Sequence, residues 1–460
     1  MYTKEIQAAT VMVRKRAPAQ KALSPTKEIL ANKNEQMKNG KEEEEGNTLM
    51  LFGDCDTGCE VELSFCDDLP GFDSFEKELS EKSKGYWNTL QQDYSDFTSW
   101  TCLLQAVTET ENNLPAAEAV FRCFLRYYPY CYGYWKKFAD IEKKHGNHDR
   151  AEQVFRNGVN AISISIDLWV AYINFTVQQK KDQPDGDAAI RNLFDLAIGS
   201  AGMEFKSNKL WDNYIQWEKS QGNMKRVTDV YDRLISTPNQ QYIKNWQKFK
   251  EHLETHEPSE VLSTEEYMKT MHELDIVAPG LASDDALGEN ANGGTDSEQE
   301  KVPLKNTELI RKKVIAKRES VFLQTAAEIK KRWKFEESIK RPYFHVKPLE
   351  KSQLKNWKDY IDFEIGEGNH QQIIFVFERC MVVCALYEEL WQKYLDYIEE
   401  KDIEATRSVF ARACGVHLLK KYPLHIKWAV FEEKQKKYEE AAQILSNVDK
   451  NFPGIILTII

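Results

Sequence analysis

The sequence lacks the features that define several large classes of protein. No apolar run reaches the roughly 18 residues of a membrane-spanning helix. The start of the chain has basic residues but no hydrophobic core of signal-peptide length. A G-x-x-x-x-G-K-[ST] phosphate loop, an H-E-x-x-H zinc helix and a G-x-S-x-G nucleophile motif are also missing. We therefore expect a non-enzymatic protein without a cofactor or a membrane segment.

Cysteine is scarce and odd in number. Nine cysteines in 460 residues, with no short secreted scaffold around them, predict reduced thiols in an intracellular protein. Cys55, Cys59 and Cys66 lie close in sequence, but their spacing fits no standard zinc pattern and no histidine is near. Cys380 and Cys384 lie four residues apart on a predicted helix, where core packing is the expected role. We predict no metal site.

An excess of positive charge is missing too. The net charge is −11, whereas a protein that coats nucleic acid unspecifically needs a broad basic surface. A local basic strip is compatible with this total.

Aromatic residues, in contrast, are abundant and periodic. They make up 12% of the chain, and in seven places a tryptophan is followed three residues later by Tyr or Phe. The pairs are Trp135/Phe138, Trp169/Tyr172, Trp211/Tyr214, Trp246/Phe249, Trp357/Tyr360, Trp391/Tyr394 and Trp428/Phe431. In three of them an acid follows the tryptophan by seven residues: Glu142, Glu218 and Glu364.

A second helical pattern follows the first. Within residues 134–162, Ala151, Val154 and Phe155 share one face of a predicted helix. Gly146-Asn147 precedes that helix and favours a turn. The same dipeptide recurs as Gly222-Asn223 and Gly368-Asn369.

The spacing of the tryptophans indicates the fold class. Successive tryptophans lie 34 to 42 residues apart within each half of the chain, the period of a helical-repeat solenoid. One helix pair cannot bury its own apolar face, so it stacks on its neighbours. We predict an all-α superhelix of tetratricopeptide-like helix pairs in two arrays, joined by an acidic linker and a long helix. The residues predicted to pack between repeats are Trp135, Phe138, Phe155, Trp169, Tyr172, Trp211, Tyr214, Trp217, Trp357, Tyr360, Phe363, Trp391, Tyr394 and Trp428.

The chain divides by composition. We predict an acidic, disordered N-terminal region (1–80), a first repeat array (81–258), a flexible acidic linker (259–303), a long basic helix (304–340), a second array (341–453) and an apolar tail (454–460).

The repeat resembles a known family. The tetratricopeptide pattern has glycine four residues after the tryptophan, whereas this chain has Ala139, Ile173, Ile215, Ile361 and Leu395. The pattern W-x-x-Y-x-x-[FW]-E, complete in 211–218 and 357–364, instead resembles the half-a-tetratricopeptide (HAT) repeat of RNA-processing proteins. Residues 128–147, 332–365 and 377–394 resemble, more specifically, the pre-mRNA-processing factor 39 family, whose members are splicing proteins of the U1 small nuclear ribonucleoprotein.

This resemblance implies a function. We expect a nuclear, non-catalytic scaffold that contacts U1 proteins and other splicing factors and supports 5′ splice-site recognition. A scaffold of another RNA machine, for 3′-end cleavage or ribosome assembly, is an alternative. The family implies further repeats beyond residue 453 and a dimer formed through them, so we do not expect the family-type dimer for this shorter chain. Arg14-Lys15-Arg16 could serve nuclear import, with a solvated tail as the simpler interpretation.

The basic helix offers another alternative. Residues 305–347 hold thirteen Lys and Arg against five Glu. Beside Trp333 and Phe335, these cations could grip an RNA backbone while a base stacks. The simpler interpretation is a solvated helix face that pairs with acids of neighbouring repeats. The candidate RNA or partner contacts are Arg311, Lys312, Lys313, Lys330, Lys331 and Arg332.

Overall fold

The structure, a computed structural model, describes residues 79–110, 112–181, 183–276 and 304–453. The predicted N-terminal region (apart from its last two residues), the apolar tail, the cluster of three cysteines and Arg14-Lys15-Arg16 lie outside these ranges. No helix within the described ranges is long and apolar enough to cross a membrane.

All regular secondary structure in the described residues is helical, so the predicted all-α fold is confirmed. The helices are α1 Glu81–Gln92, α2 Phe97–Gln105, α3 Leu114–Tyr127, α4 Tyr132–Lys144, α5 His148–Ala161, α6 Ile166–Lys180, α7 Gly186–Ala201, α8 Asn208–Ser220, α9 Met224–Ser236, α10 Tyr242–Thr255, α11 Pro258–Val261, α12 Thr264–Glu273, α13 Leu304–Ser338, α14 Lys351–Glu367, α15 His370–Val383, α16 Glu388–Ile398, α17 Ile403–Arg412, α18 Tyr422–Lys434 and α19 Tyr438–Asn451.

Consecutive helices pack as pairs, and neighbouring pairs contact each other within residues 132–255 and within residues 388–451. The pairs α4/α5, α6/α7, α8/α9, α14/α15, α16/α17 and α18/α19 follow the predicted repeats. Contacts such as those of α5 with α6 and of α9 with α10 join one pair to the next. This arrangement buries the apolar faces that a single pair leaves open.

The predicted glycine turns have a common geometry. Gly146, Gly222 and Gly368 adopt φ of 79°, 70° and 83°, a left-handed conformation in which a β-carbon is strained. After the first glycine, the amide of Asn147 donates to the carbonyl of Glu142 at 2.9 Å, which closes the helix end. The turn residue that needs positive φ is therefore the glycine, while Asn147 has an ordinary φ of −85°.

The aromatic residues of the repeats supply the largest fully buried side chains of the core. Of the fourteen predicted to pack between repeats, twelve are buried, and Trp135 and Phe363 are half-buried. Several tryptophans also hold the preceding loop through Nε1, which donates to the carbonyl six residues earlier. These bonds are Trp100 to Tyr94 (2.9 Å), Trp135 to Pro129 (2.8 Å), Trp169 to Ser163 (2.6 Å) and Trp391 to Ala385 (2.8 Å).

One ring-packing arrangement recurs between repeats. Phe194 on α7 stacks on Tyr214 of α8 with centroids 4.5 Å apart and planes 7° apart. Phe335 on α13 stacks in the same way on Tyr360 of α14, at 4.9 Å and 4°. The end of α13 therefore serves as the second helix of a repeat. The other stacks of this kind are Phe121/Phe138, Phe155/Tyr172 and Phe410/Trp428.

The predicted linker does not begin where expected. Residues 258–261 and 264–273 are helical as α11 and α12, so a linker starting at 259 is wrong, and the remainder from 277 to 303 lies outside the described residues. Pro258 begins α11, where its missing amide hydrogen is tolerated, and the hydroxyl of Ser263 caps α12 by accepting from the amide of Glu266 at 3.1 Å.

The compact units of the chain also differ from the predicted arrays. One unit, here called the large unit, comprises the described residues of 79–125 and 129–383; the small unit comprises 126–128 and 384–453. The first array, α13 and the pair α14/α15 therefore belong to one compact unit. The long helix spans Leu304–Ser338, close to the predicted 304–340, and it contacts α9, α10, α11, α12 and α14.

Candidate functional site

An arginine–glutamate ion pair recurs between successive repeats. In the large unit, Arg191 of α7 donates to the buried Glu218 of α8 at 2.6 and 3.2 Å. Arg332 of α13 donates to Glu364 of α14 at 2.7 and 2.9 Å. Both pairs are bidentate, the geometry in which a guanidinium and a carboxylate bind most strongly. Each pair therefore orients one repeat on the next.

The small unit contains the same pair. Arg407 of α17 donates to Glu432 of α18 through Nε and Nη2, both at 3.0 Å. The indole nitrogen of Trp428 donates to the same carboxylate at 3.2 Å. The acid is thus satisfied on more than one side, as a buried charge requires.

A short motif underlies this recurrence. Each arginine precedes the stacked phenylalanine by three residues, so both side chains lie on one helix face. The ring reaches an aromatic residue of the next helix, and the guanidinium reaches the acid four residues beyond that residue. The motif is R-x-x-F: Arg191/Phe194, Arg332/Phe335 and Arg407/Phe410. The sequence analysis found the acids Glu218 and Glu364 and missed this motif, whose recurrence at these three helical positions was the available signal; a fourth match, Arg341/Phe344, is not on a helix.

Burial and pairing oppose each other in the electrostatics of Arg332 and Glu364. Burial disfavours the charge on Arg332, but its hydrogen bonds to Glu364 and Glu328 outweigh burial and raise its pKa above the ordinary value. Burial raises the pKa of Glu364, and Arg332 offsets part of that rise. The guanidinium therefore stays charged inside the repeat interface.

One of the three acids in the sequence pattern, Glu142, forms no ion pair of this kind with an arginine that the structure describes. Glu142 is buried, and it accepts from the side-chain amide of Asn147 at 3.0 Å. Burial raises the pKa of Glu142. The position of the arginine is occupied by Glu118, which pairs with Arg150 at 2.7 Å. The carboxylate of Glu142 is therefore bound by an amide of its own repeat, whereas Glu218, Glu364 and Glu432 each bind an arginine of the preceding helix.

A second cluster joins distant parts of the large unit. Arg379 of α15 donates to Glu336 of α13 through Nη2 at 2.9 Å and to Glu204, which follows α7, at 2.8 Å. Tyr360 donates its hydroxyl to Glu336 at 2.8 Å. All four side chains are largely buried, and Arg379 and Glu204 are 175 residues apart in sequence. We call these four residues the Arg379 cluster.

The two carboxylates of the Arg379 cluster respond differently to burial. Burial raises the pKa of Glu204 despite the attraction of Arg379. For Glu336, Arg379 and the Tyr360 hydroxyl together outweigh burial and lower the pKa. Arg379 is a buried cation that both acids stabilise. Removing either acid would therefore leave buried charge that is less well compensated.

The first half of α13 also docks on the first array. Arg318 donates to Asp232 of α9 at 2.6 Å and to Glu266 of α12 at 2.6 Å. Four residues further along α13, Phe322 stacks on Trp246 of α10, with centroids 4.9 Å apart. The helix α10 thus packs against α13 as well as against α9.

The structure divides the six predicted basic contacts into two groups. Arg332 is buried in its pair with Glu364, and Arg311 donates to the carbonyl of His256 at 2.7 Å. Lys313 lies 3.4 Å from Glu273, and Lys331 lies 2.7 Å from Glu367. Lys312 and Lys330 are exposed and form no ion pair with a residue that the structure describes. Four of the six thus follow the simpler interpretation, pairing with groups of neighbouring repeats.

Other predicted features are also placed. Cys380 and Cys384 are both buried thiols, which agrees with core packing. His145 and His148 lie at the turn between α4 and α5 and are exposed. Within the described ranges, no three His, Cys, Asp or Glu side chains are arranged to hold a metal ion.

Helix pairs with a buried acid on the first helix, a stacked ring on the second and close packing of successive pairs define a HAT-repeat protein. The comparison with family models agrees with this class. A model described as the PRP39 N-terminal HAT repeat matches residues 84–251, and one described as the PRP39 C-terminal HAT repeat matches residues 330–460.

Several curated relatives carry the same name. Pre-mRNA-processing factor 39 of Homo sapiens is 42% identical over 401 residues, which cover 86% of this chain and 60% of that protein. The Xenopus laevis protein of the same name is 45% identical and covers 81% and 58%; that of Schizosaccharomyces pombe is 30% identical and covers 80% and 60%. The chain belongs to the PRP39 family of HAT-repeat proteins. It spans about 60% of the length of these relatives.

Proposed function

We propose that the chain is a non-catalytic scaffold in pre-mRNA splicing, acting in the nucleus. The observation that carries this proposal is the match to PRP39 models in both the first array and the region from residue 330 onward. The name of the relatives, pre-mRNA-processing factor 39, supports splicing over 3′-end cleavage or ribosome assembly.

The finer proposal is that the chain associates with the U1 small nuclear ribonucleoprotein and supports 5′ splice-site recognition through protein contacts. The architecture supports a scaffold role. The paired arginines and glutamates, including the Arg379 cluster, lie inside repeat interfaces, where they keep successive repeats in a defined orientation. A rigid solenoid presents an extended surface to partner proteins without the ordering cost of a flexible chain.

Direct RNA binding through α13 is a weaker alternative. Arg318 and Arg332 are engaged within the protein, so a strip that binds RNA would depend mainly on exposed lysines such as Lys312 and Lys330. Few phosphate contacts predict weak binding with a shallow dependence on salt.

The test is to capture the tagged chain from nuclear extract at moderate and at high salt, and to sequence the RNA and proteins that accompany it. Enrichment of U1 RNA and its core proteins at both salts is expected. A variant with Lys305→Glu and Lys312→Glu, two exposed lysines of α13, should capture the same set, because the proposed contacts are to protein. Loss of U1 RNA in this variant would favour direct RNA binding. Recovery of 3′-end or ribosome-assembly factors in place of U1 would contradict the splicing role.

A further inference from the structure

An open groove runs between the start of α10 and the second half of α13, both in the large unit. It consists of two adjoining cavities of about 560 and 500 Å³ that share Tyr242 and Trp333 in their lining. Ala326, Ala327 and Ile329 of α13 form one wall, and Ile243 of α10 lies on the other. Trp333 is 36% exposed and Ile243 is 54% exposed, so large apolar side chains face solvent here.

The charged side chains that line the groove are all basic among the described residues. Lys330 and Lys334 line it from α13, and Lys244 lines it from α10. No acidic side chain is among the described residues that line either cavity. Lys244 and Lys330 form no ion pair with a residue that the structure describes. Because all the charged residues in the described lining are lysines, the groove is complementary to an acidic segment.

The loop that forms one side of the groove is held in place. Its Asn239 is buried and donates to Asn208 at 3.0 Å, and it also accepts from the backbone of Gln241 at 2.8 Å. The amide of Gln240 donates to the carbonyl of Phe205 at 2.8 Å. Phe205 also contacts Trp333 edge to face, with centroids 5.6 Å apart. Both sides of the groove are therefore positioned before a partner arrives, which lowers the entropic cost of binding.

The shape favours insertion of a side chain over stacking of a nucleotide base. One face of Tyr242 packs on Phe322, with ring planes 27° apart, and Ala326 and Ala327, whose side chains are small, line the groove beside it. A base-stacking site presents open aromatic faces, usually with arginine beside them. Here the described lining contains lysines and no arginine. An aromatic or branched aliphatic side chain fits such a pocket, as in other peptide-binding grooves.

We propose that this groove docks a short acidic segment of a partner protein, with an aromatic or branched aliphatic side chain inserted beside Trp333 and Tyr242 and carboxylates placed against Lys244, Lys330 and Lys334. The inference rests on the proposed scaffold function and names one of its protein-contact sites.

The test is a selection from a random peptide library displayed on phage, using the whole chain as bait and a Trp333→Glu variant for depletion. Enriched peptides should carry net negative charge and at least one aromatic or branched aliphatic residue. Binding of the enriched peptides is then measured by fluorescence anisotropy. Trp333→Ala should weaken it about tenfold or more, as for a central aromatic contact. The double variant Lys330→Glu, Lys334→Glu should weaken it similarly and reduce its salt dependence.

Matched controls come from the same unit. Lys312→Glu removes an exposed lysine of α13 that does not line the groove, and Leu196→Ala removes an apolar side chain that is 55% exposed elsewhere. Both should bind the peptides as the unaltered chain does, and circular dichroism checks that every variant is folded.

Three results would overturn the inference. The first is enrichment that shows no acidic bias or ignores the Trp333→Glu depletion. The second is no enrichment at all. The third is tighter binding of an oligouridine probe than of any peptide, with the same loss in Trp333→Ala, which would assign the groove to RNA. The capture of U1 RNA from nuclear extract is scored separately, so the scaffold role can stand when the groove proposal fails.

Discussion

At the scale of single residues, the repeated tryptophans combine burial with a hydrogen bond. Trp169 and Trp391 are buried and donate Nε1 to the carbonyl six residues earlier. Trp357 is 1% exposed, but its Nε1 has no hydrogen-bond partner among the described residues. The sequence predicts the burial of all three from their spacing. It does not predict which indole lacks a partner, because that depends on the conformation of the preceding segment.

We expect Trp211→Ala and Trp357→Ala each to lower the free energy of unfolding by about 3–5 kcal/mol, because each leaves a large cavity. Trp357→Phe should be milder, since no hydrogen bond is given up. Urea denaturation measures these changes, with Tyr343→Ala, at a residue 45% exposed, as the control. An unchanged midpoint for Trp357→Ala would contradict its role in the core.

A buried histidine should make the large unit sensitive to acid. His252 is 2% exposed, and burial lowers its pKa to about 4. The unfolded chain has the ordinary pKa of about 6.5, so it binds a proton first as the pH falls. The stability that neutral His252 provides is present above pH 6.5 and is lost between 6.5 and 4, about 2 kcal/mol of it by pH 5.

His252 lies six residues after Trp246, where other repeats have an aromatic residue such as Trp217. We expect His252→Phe to remove this part of the acid sensitivity, measured as the difference in unfolding free energy between pH 7 and pH 5. His148→Phe, at an exposed turn, is the control and should leave the difference unchanged. Equal acid sensitivity of the unaltered chain and His252→Phe would refute the assignment.

At the scale of the elements, one turn between paired helices has a positive φ at a residue that is not glycine. Lys436 joins α18 to α19 with φ of 64°, and the amide of Lys437 donates to the carbonyl of Glu432 at 2.9 Å. This is the hydrogen bond that Asn147 makes at the Gly146 turn. The sequence analysis found the glycine turns but not this one, because lysine gives no turn signal and the conformation follows from the packing of the two helices.

Lys436→Gly should stabilise the small unit by about 1 kcal/mol, because a side chain in the left-handed region is strained. Gly222→Ala should destabilise the large unit by a similar amount. Thermal melting of the two variants measures both changes. A melting temperature lowered by Lys436→Gly would show that loss of the lysine side chain outweighs the relief of strain.

The contact between neighbouring helix pairs depends on the buried ion pairs. The periodicity predicted the acids, since they follow the tryptophans at a regular spacing. It assigned Arg332 to a possible RNA contact, because basic residues in a helix have the same appearance whether they face solvent or a buried acid. The position of α14 relative to α13 decides between these outcomes.

Removing one partner of such an ion pair should lower the free energy of unfolding more than removing both partners. Arg332→Met leaves Glu364 buried and unpaired, which is expected to cost about 3–5 kcal/mol of unfolding free energy, and Glu364→Leu leaves Arg332 unpaired in the same way. The double variant Arg332→Met, Glu364→Leu should lose much less, because the buried charge is gone and the volume is nearly kept. Chemical denaturation of both single variants and the double variant completes the cycle. Additive losses would contradict direct pairing.

At the scale of the whole molecule, the acidic segment does not mark a boundary between compact units. Arg318 binds Asp232 of the first array and Glu266 of α12, and the Arg379 cluster connects α15 and α13 to Glu204. The large unit therefore continues through residues on both sides of 277–303.

A chain cut within 281–300 should therefore stay together. With a site-specific protease sequence inserted there, we expect the two fragments to elute as one species in size-exclusion chromatography near 0.15 M salt. Arg318→Glu combined with Arg379→Glu should separate or unfold them, because like charges would meet the buried acids. Lys312→Glu serves as the control and should leave the species intact. Separate elution of the unaltered fragments would contradict the prediction that these contacts hold the large unit together.

The sequence by itself determined the helical-repeat class, the positions of the helix pairs, the glycine turns and most of the aromatic core. These follow from local rules, since helical periodicity and turn preference depend on residues close together in the chain. Only the tertiary structure decided the partners of the buried arginines, the extent of the large unit and the existence of the groove beside Trp333. Arg379 and Glu204 are 175 residues apart, and no local pattern encodes a contact that exists only after the helices between them have stacked.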